Sequence, residues 1–292
     1  MVQYNPGTVS YEPQEPLVLV AGAGRLPLAA ARNHRAGGGR LRLVSLLPDP
    51  PPELAELAVE VAIYSPGQIG HILKHILGTG VRQVSLLGKV VKGKLFDDLK
   101  LDALAMKLWL TTGDKSDHGI MLALCRAAEE RGLEVVSQLE ILAGLVTPEG
   151  VLTRKRPGPA EESDAGLAFR LARECARLGI GQTVLVRGGM VVAVEALEGS
   201  DRCLARAGEL VRGGSRLFKG GLVMAKAAGH KHDVRFDVPT VGSETLAGAK
   251  EAGVTCIVLE SGRTLIADGI REFTRAADKA GIAVWGRPSF DA

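Results

Sequence analysis

The strongest constraint on how this chain folds is the way its short apolar runs end. Leu17-Val18-Leu19-Val20-Ala21 stops at Gly22-Ala23-Gly24, and Pro27 then opens the next segment, which reads as strand, tight turn and helix start. Leu41 to Leu47 runs into a proline-rich stretch, Val59 to Ile63 forms a third run, and Val81 to Leu87 ends at Gly88. Each is too short for a helix and rich in branched residues. Between them Ile69, Ile72, Leu73, Ile76 and Leu77 recur at helical spacing. Strands alternating with helices predict a parallel sheet covered by those helices. Helical stretches over Asp97 to Leu110 and Asp117 to Arg131 and a strand at Leu133 to Val136 extend the pattern.

At 292 residues the chain is long for one core, so two domains are expected. Periodicity fades from Val146 through the basic, proline-bearing Arg154 to Pro159, which marks the boundary. Residues 1–16 read as an extension, 17–147 as a first domain, 148–160 as a linker and 161–292 as a second domain. The second opens on a helix at Glu161 to Leu178 and continues with a hairpin, Thr183 to Val186 and Met190 to Val194, turned at Gly188-Gly189. Later strands are predicted at Leu222 to Met224, Val254 to Leu259, Thr264 to Ala267 and Ile282 to Trp285. Helices alternate with them at Cys203 to Val211, Ser243 to Ala252 and Ile270 to Ala280. The fold class is α/β, with an N-terminal Rossmann-like parallel sheet and covering helices followed by a C-terminal mixed α/β domain.

Composition excludes several classes. A net charge of +3 and an aromatic content of 4% argue against nucleic acid as a partner. No apolar run reaches the roughly 18 residues that a spanning helix needs, so a lipid substrate would be met at the membrane surface. The four scattered cysteines read as reduced, buried thiols, and the first sixteen residues lack the features of a signal peptide. A cytoplasmic chain is expected, with a homodimer as the default assembly.

Gly22, Gly24, Leu26 and Pro27 form a turn whose free amides would suit a phosphate, and a plain tight turn is the alternative. The third glycine of a dinucleotide fingerprint and an acid after the second strand are both missing. His71 and His75 lie on a helix face and read as solvated. From Lys226 to Gly242 the chain holds Lys226, His230, Lys231, His232, Asp233, Arg235 and Asp237. So many ionisable groups are poor core material, and a pyrophosphate with a divalent ion would suit both signs of charge; a solvated loop is the alternative. Glu195, Glu198 and Asp201 either ligate a hard cation or surround a helix cap, and Asp114, Lys115 and Asp117 carry the same ambiguity.

From Leu17 to Pro288 these motifs, in order, resemble the LpxI-type UDP-2,3-diacylglucosamine pyrophosphatases. The matching pieces are Ala21 to Pro27, Gly88-Lys89-Val90, Lys115-Ser116-Asp117, Ile180-Gly181-Gln182, Ala193 to Asp201, and Arg235 to Gly242. The resemblance implies a lipid-linked UDP-sugar substrate, cleavage to UMP and 2,3-diacylglucosamine 1-phosphate, a magnesium requirement and an active site between two α/β domains. It implies Asp237 as the catalytic acidic residue, which either holds the metal or activates water. Gly22, Gly24, Leu26, Pro27, Gly88, Gln182, Lys226, Arg235, Thr240 and Gly242 are the candidate substrate and phosphate contacts. Asp237, Glu195, Glu198, Asp201 and Asp117 are the candidate metal ligands. This chain departs from the family pattern in having Asp117-His118 where two consecutive acids are usual, and His232 where Gln is usual. A nicotinamide-dependent oxidoreductase and a non-catalytic nucleotide-sugar-binding protein are the competing readings.

Overall fold

The computed structural model describes residues 10–90, 101–213, 220–229 and 232–289. The chain divides into two compact units, one of residues 1–142 with 233–237, the other of residues 143–232 with 238–292.

In the first unit, β1 (Leu17–Ala21), β2 (Leu41–Ser45), β3 (Glu60–Ile63), β4 (Gln83–Leu87) and β5 (Glu134–Val135) form one sheet in the order β3-β2-β1-β4-β5. All its pairings are parallel. The central strand β1 is buried along its whole length, as a strand covered on both faces must be. Its alternate residues Val18 and Val20 join a core with Ile72, Leu73 and Ile76 of α3 (Ile69–Gly78) and Cys125 and Ala128 of α5 (Asp117–Glu129). The opposite face, carrying Leu17 and Leu19, lies under α1 (Leu26–Ala36), whose Ala30 and Ala31 are fully buried. The short α2 (Pro52–Ala55), α4 (Ala103–Thr111) and α6 (Gln138–Ile141) complete this unit. From residue 10 the N-terminal extension packs on it: the Tyr11 hydroxyl meets His34 Nδ1 at 2.8 Å, and the Tyr11 amide donates to Glu140.

The second unit is built on a mixed sheet in the order β6-β13-β11-β9-β7-β8. Its strands are β6 (Gly150–Val151), β7 (Thr183–Arg187), β8 (Met190–Val194), β9 (Leu222–Lys226), β11 (Val254–Glu260) and β13 (Ala283–Arg287). A two-stranded pair, β10 (Thr240–Val241) and β12 (Leu265–Ile266), lies apart from it. Val184 and Val186 face α7 (Pro159–Arg177), while Leu185 faces the core shared with α8 (Ser200–Gly213), α9 (Ser243–Ala252) and α10 (Ile270–Ala280). That alternation is the period of two expected of a strand. The β7–β8 turn places Gly188 and Gly189 at φ 58° and 76°, as a two-residue hairpin turn of this kind requires. Asp164 on α7 accepts from both of their amides at 2.7 Å.

The expected linker at 148–160 is corrected. Gly150–Val151 pairs with β13, the Thr153 hydroxyl accepts from Val284, and Lys155 donates to the Thr255 carbonyl. Of the basic residues there, Lys155 is held within the second unit, while Arg154 and Arg156 remain exposed. Conversely, Asp233–Asp237 belongs to the first unit. All four cysteines are free; burial pushes Cys125 and Cys256 up to about 12, so both stay neutral thiols.

Candidate functional site

The segment Asp233–Asp237 is a tight turn, with the amides of Phe236 and Asp237 donating to the Asp233 carbonyl. Arg235 fixes it. Its guanidinium is nearly buried and meets Asp233 through Nε at 2.8 Å and Nη2 at 2.5 Å, and it also pairs with Glu129 at the end of α5. Burial acts to lower the Arg235 pKa, but the two carboxylates outweigh it and hold the group charged. The Gln138 amide donates to the Val234 carbonyl and its side chain to Leu86, which ties the turn to the end of β4.

What this clamp presents is Asp237. Its carboxylate remains about one-third exposed, and its Oδ2 lies 3.7 Å from Nδ1 of His118. At that distance the pair is an ionic contact rather than a full hydrogen bond. The Asp237 carboxylate raises the His118 pKa against the opposing effect of burial, so the imidazolium persists further into the neutral range. His118 is the second residue of α5, capped by the Ser116 hydroxyl, and its ring packs on Phe236 with centroids 5.4 Å apart. A partly exposed carboxylate beside a protonatable imidazole can take or orient a proton from water and can place a positive charge next to an anion.

The other expected contacts fall into separate places. At the carboxyl ends of β1 and β4, where the strand order reverses and ligands of such sheets commonly bind, the backbone closes on itself. Gly22 donates to Leu87, while Ala23 and Lys89 exchange hydrogen bonds at 2.8 Å. A Cβ on Gly22 would sit 2.6 Å from the Lys89 carbonyl oxygen, and one on Gly88 would sit 2.7 Å from Gly22. These two glycines are required by the backbone approach, and the Gly22 amide is committed to Leu87. This corrects the expectation that it is free for phosphate. Gly24, at φ 112°, turns the chain into α1, where Leu26 and Pro27 form the first turn.

In the second unit Lys226 is buried at the end of β9. Its ammonium donates to Ser200 at 2.5 Å and Thr183 at 3.3 Å, and it lies 3.8 Å from Glu195. Glu195 also accepts from the Ser200 hydroxyl and the Gln182 amide. Glu198 instead pairs with Arg206 at 2.8 Å, and Asp201 is exposed in the first turn of α8. The three carboxylates therefore have different neighbours. The Thr240 hydroxyl donates to the Val238 carbonyl, and Gly242 caps α9. His230 and Lys231 lie outside the described residues.

Two family models match the chain, the LpxI N-terminal domain over residues 16–145 and the LpxI C-terminal domain over residues 148–285. UDP-2,3-diacylglucosamine pyrophosphatase LpxI of Caulobacter vibrioides is 34% identical over 278 residues, which span 92% of this chain and 96% of that protein. The chain belongs to the LpxI family. Among solved structures, a Stenotrophomonas maltophila UDP-glucose-4-epimerase superposes with a TM-score of 0.27 at 14% identity, covering 40% of this chain and 34% of that one. The biotin carboxylase domain of a Hydrogenobacter thermophilus 2-oxoglutarate carboxylase gives 0.28 at 13%, covering 66% and 41%. This chain thus spans about a third and two-fifths of those proteins, and likenesses so weak carry no argument about activity.

For this LpxI chain a preformed metal cage does not fit: among the described residues no three His, Cys, Asp or Glu side chains converge as ligands would. The partly exposed Asp237 carboxylate is an oxygen donor of the kind hard divalent cations take alongside water. Arg235, expected to face phosphate, is instead ion-paired to Asp233 and Glu129. In sequence His118 stands only as a departure from the family pattern, and no local signal announces that it meets Asp237.

Proposed function

We propose that this chain hydrolyses the pyrophosphate bond of UDP-2,3-diacylglucosamine to UMP and 2,3-diacylglucosamine 1-phosphate, a step of lipid A biosynthesis. Family membership over nearly the whole chain names the substrate class, and the observation that carries the chemistry is the exposed Asp237 carboxylate on a clamped turn beside His118. In the reaction the oxygen of water bonds to one phosphorus, the bridging P–O bond breaks, and the two products leave as monophosphates. Asp237 orients the water and accepts its proton. Protonated His118 holds positive charge next to the phosphoryl oxygens as negative charge builds on them. Arg235, Asp233 and Glu129 keep the turn from shifting, because positioning accounts for much of the rate in such transfers. Magnesium, when bound, would be held by Asp237 together with phosphate oxygens and would polarise the phosphoryl group.

No helix among the described residues is long and apolar enough to cross a membrane. The protein meets its substrate from the cytoplasmic side, at the inner face of the membrane. Purified protein given UDP-2,3-diacylglucosamine in detergent should release UMP, lose that activity in EDTA and regain it with magnesium. Release of UDP instead of UMP, or an unchanged substrate, would overturn the assignment.

A further inference from the structure

Helix α4 (Ala103–Thr111) is apolar on both sides. Its inner side, Leu104, Ala105 and Leu108, packs on the core of the first unit. A surface helix ordinarily turns polar residues outward. The outer side of α4 instead carries Met106, Trp109 and Leu110, exposed to 44%, 42% and 72%, with Leu101 at 40% just before the helix.

Among the described residues the charges on this side have one sign. Within α4 the one ionisable residue is Lys107, which is exposed. Beyond its end Lys115 folds back, with its ammonium 5.0 Å from the centre of the Trp109 ring and donating to the Trp109 carbonyl. The described acids of this region are at the ends: Asp102 is taken up capping α4, Asp114 accepts from the Ser116 amide, and Asp117 opens α5. Exposed Trp, Met and Leu flanked by lysines suit the headgroup boundary of an anionic bilayer, where the rings and aliphatic chains enter the acyl layer and ammonium groups stay at phosphate level.

We infer that the outer side of α4 is the surface on which this protein docks to an anionic membrane, through Met106, Trp109 and Leu110 with Lys107 and Lys115. The inference rests on the reading that the substrate is lipid-linked. The loop after α4 leads into α5, whose second residue is His118.

The test uses full-length protein carrying Trp285→Phe, so that Trp109 is its one tryptophan. The probes are vesicles of phosphatidylcholine alone or with added phosphatidylglycerol. Trp109 emission should shift to the blue and the protein should co-sediment with the phosphatidylglycerol vesicles. Leu110→Glu and, separately, Lys107→Glu should weaken that binding on the order of tenfold, with turnover of detergent-dispersed substrate unchanged. If neither vesicle type shifts the emission while detergent turnover is normal, docking is refuted and the hydrolase reading stands. If vesicles bind but no substrate is turned over, the hydrolase reading fails instead. Loss of detergent turnover in a folded Leu110→Glu protein would assign the helix to the acyl chains of the substrate and overturn the inference. A Leu110→Glu change that converts a dimer to a monomer would assign it to a second copy and do the same.

Discussion

At the scale of single residues, three side chains have distinct tasks. Arg235 neutralises the nearly buried Asp233 and the partly exposed Glu129, so Arg235→Ala leaves both carboxylates without that cation. The expected cost is about 3 kcal/mol, read from urea unfolding; a loss within experimental error would show that the clamp is not structural. His118 makes a prediction with a sign. Its folded pKa is raised, so its contribution to stability is present below its unfolded value of about 6.5 and disappears as the pH climbs through the raised value. The pair is partly exposed, which limits the effect to roughly 1 kcal/mol or less. In an NMR titration the His118 ring should show a midpoint above that of a free imidazole, returning towards it in Asp237→Asn. An unchanged midpoint would dissociate the two residues. Asp237 was legible in the sequence through its motif. The role of Arg235 was not, since its partner Glu129 is 106 positions away and a run of charges does not tell which ones find each other in the fold.

At the scale of elements, the buried parallel strands were the easiest to read. β1 and β11 lie between covering layers, so nearly every residue is apolar and the run itself marks the strand. The two-residue strands β6 and β10 are shorter than any periodicity, and β6 lies in the basic, proline-bearing stretch between the two helical patterns. At Gly22 and Gly88 a glycine turn after a strand looks the same from sequence whether a phosphate or another backbone approaches it. Gly88→Ala tests the difference. Gly88 stands at φ 94° and its new Cβ would press on Gly22, so the variant should lose about 2 kcal/mol or more by thermal unfolding. A variant as stable as the parent but weaker for substrate would restore the ligand reading.

At the scale of the whole molecule, Asp233–Asp237 departs from the unit that precedes and follows it in sequence and is held by α5 and α6 of the other. Residues 143–292 expressed alone therefore keep Asp237 but lose His118 and Glu129. Amides 233–237 should then exchange hydrogen rapidly by mass spectrometry, and no UMP should form; protection equal to that in the full chain would contradict this assignment of the turn. The measurement that bears most directly on the central claim is ³¹P NMR of UDP-2,3-diacylglucosamine with the parent protein and with Asp237→Asn at matched stability. The parent should convert the pyrophosphate resonances into those of two monophosphates, and the variant should do so at least on the order of a hundredfold more slowly. Equal rates would contradict the account.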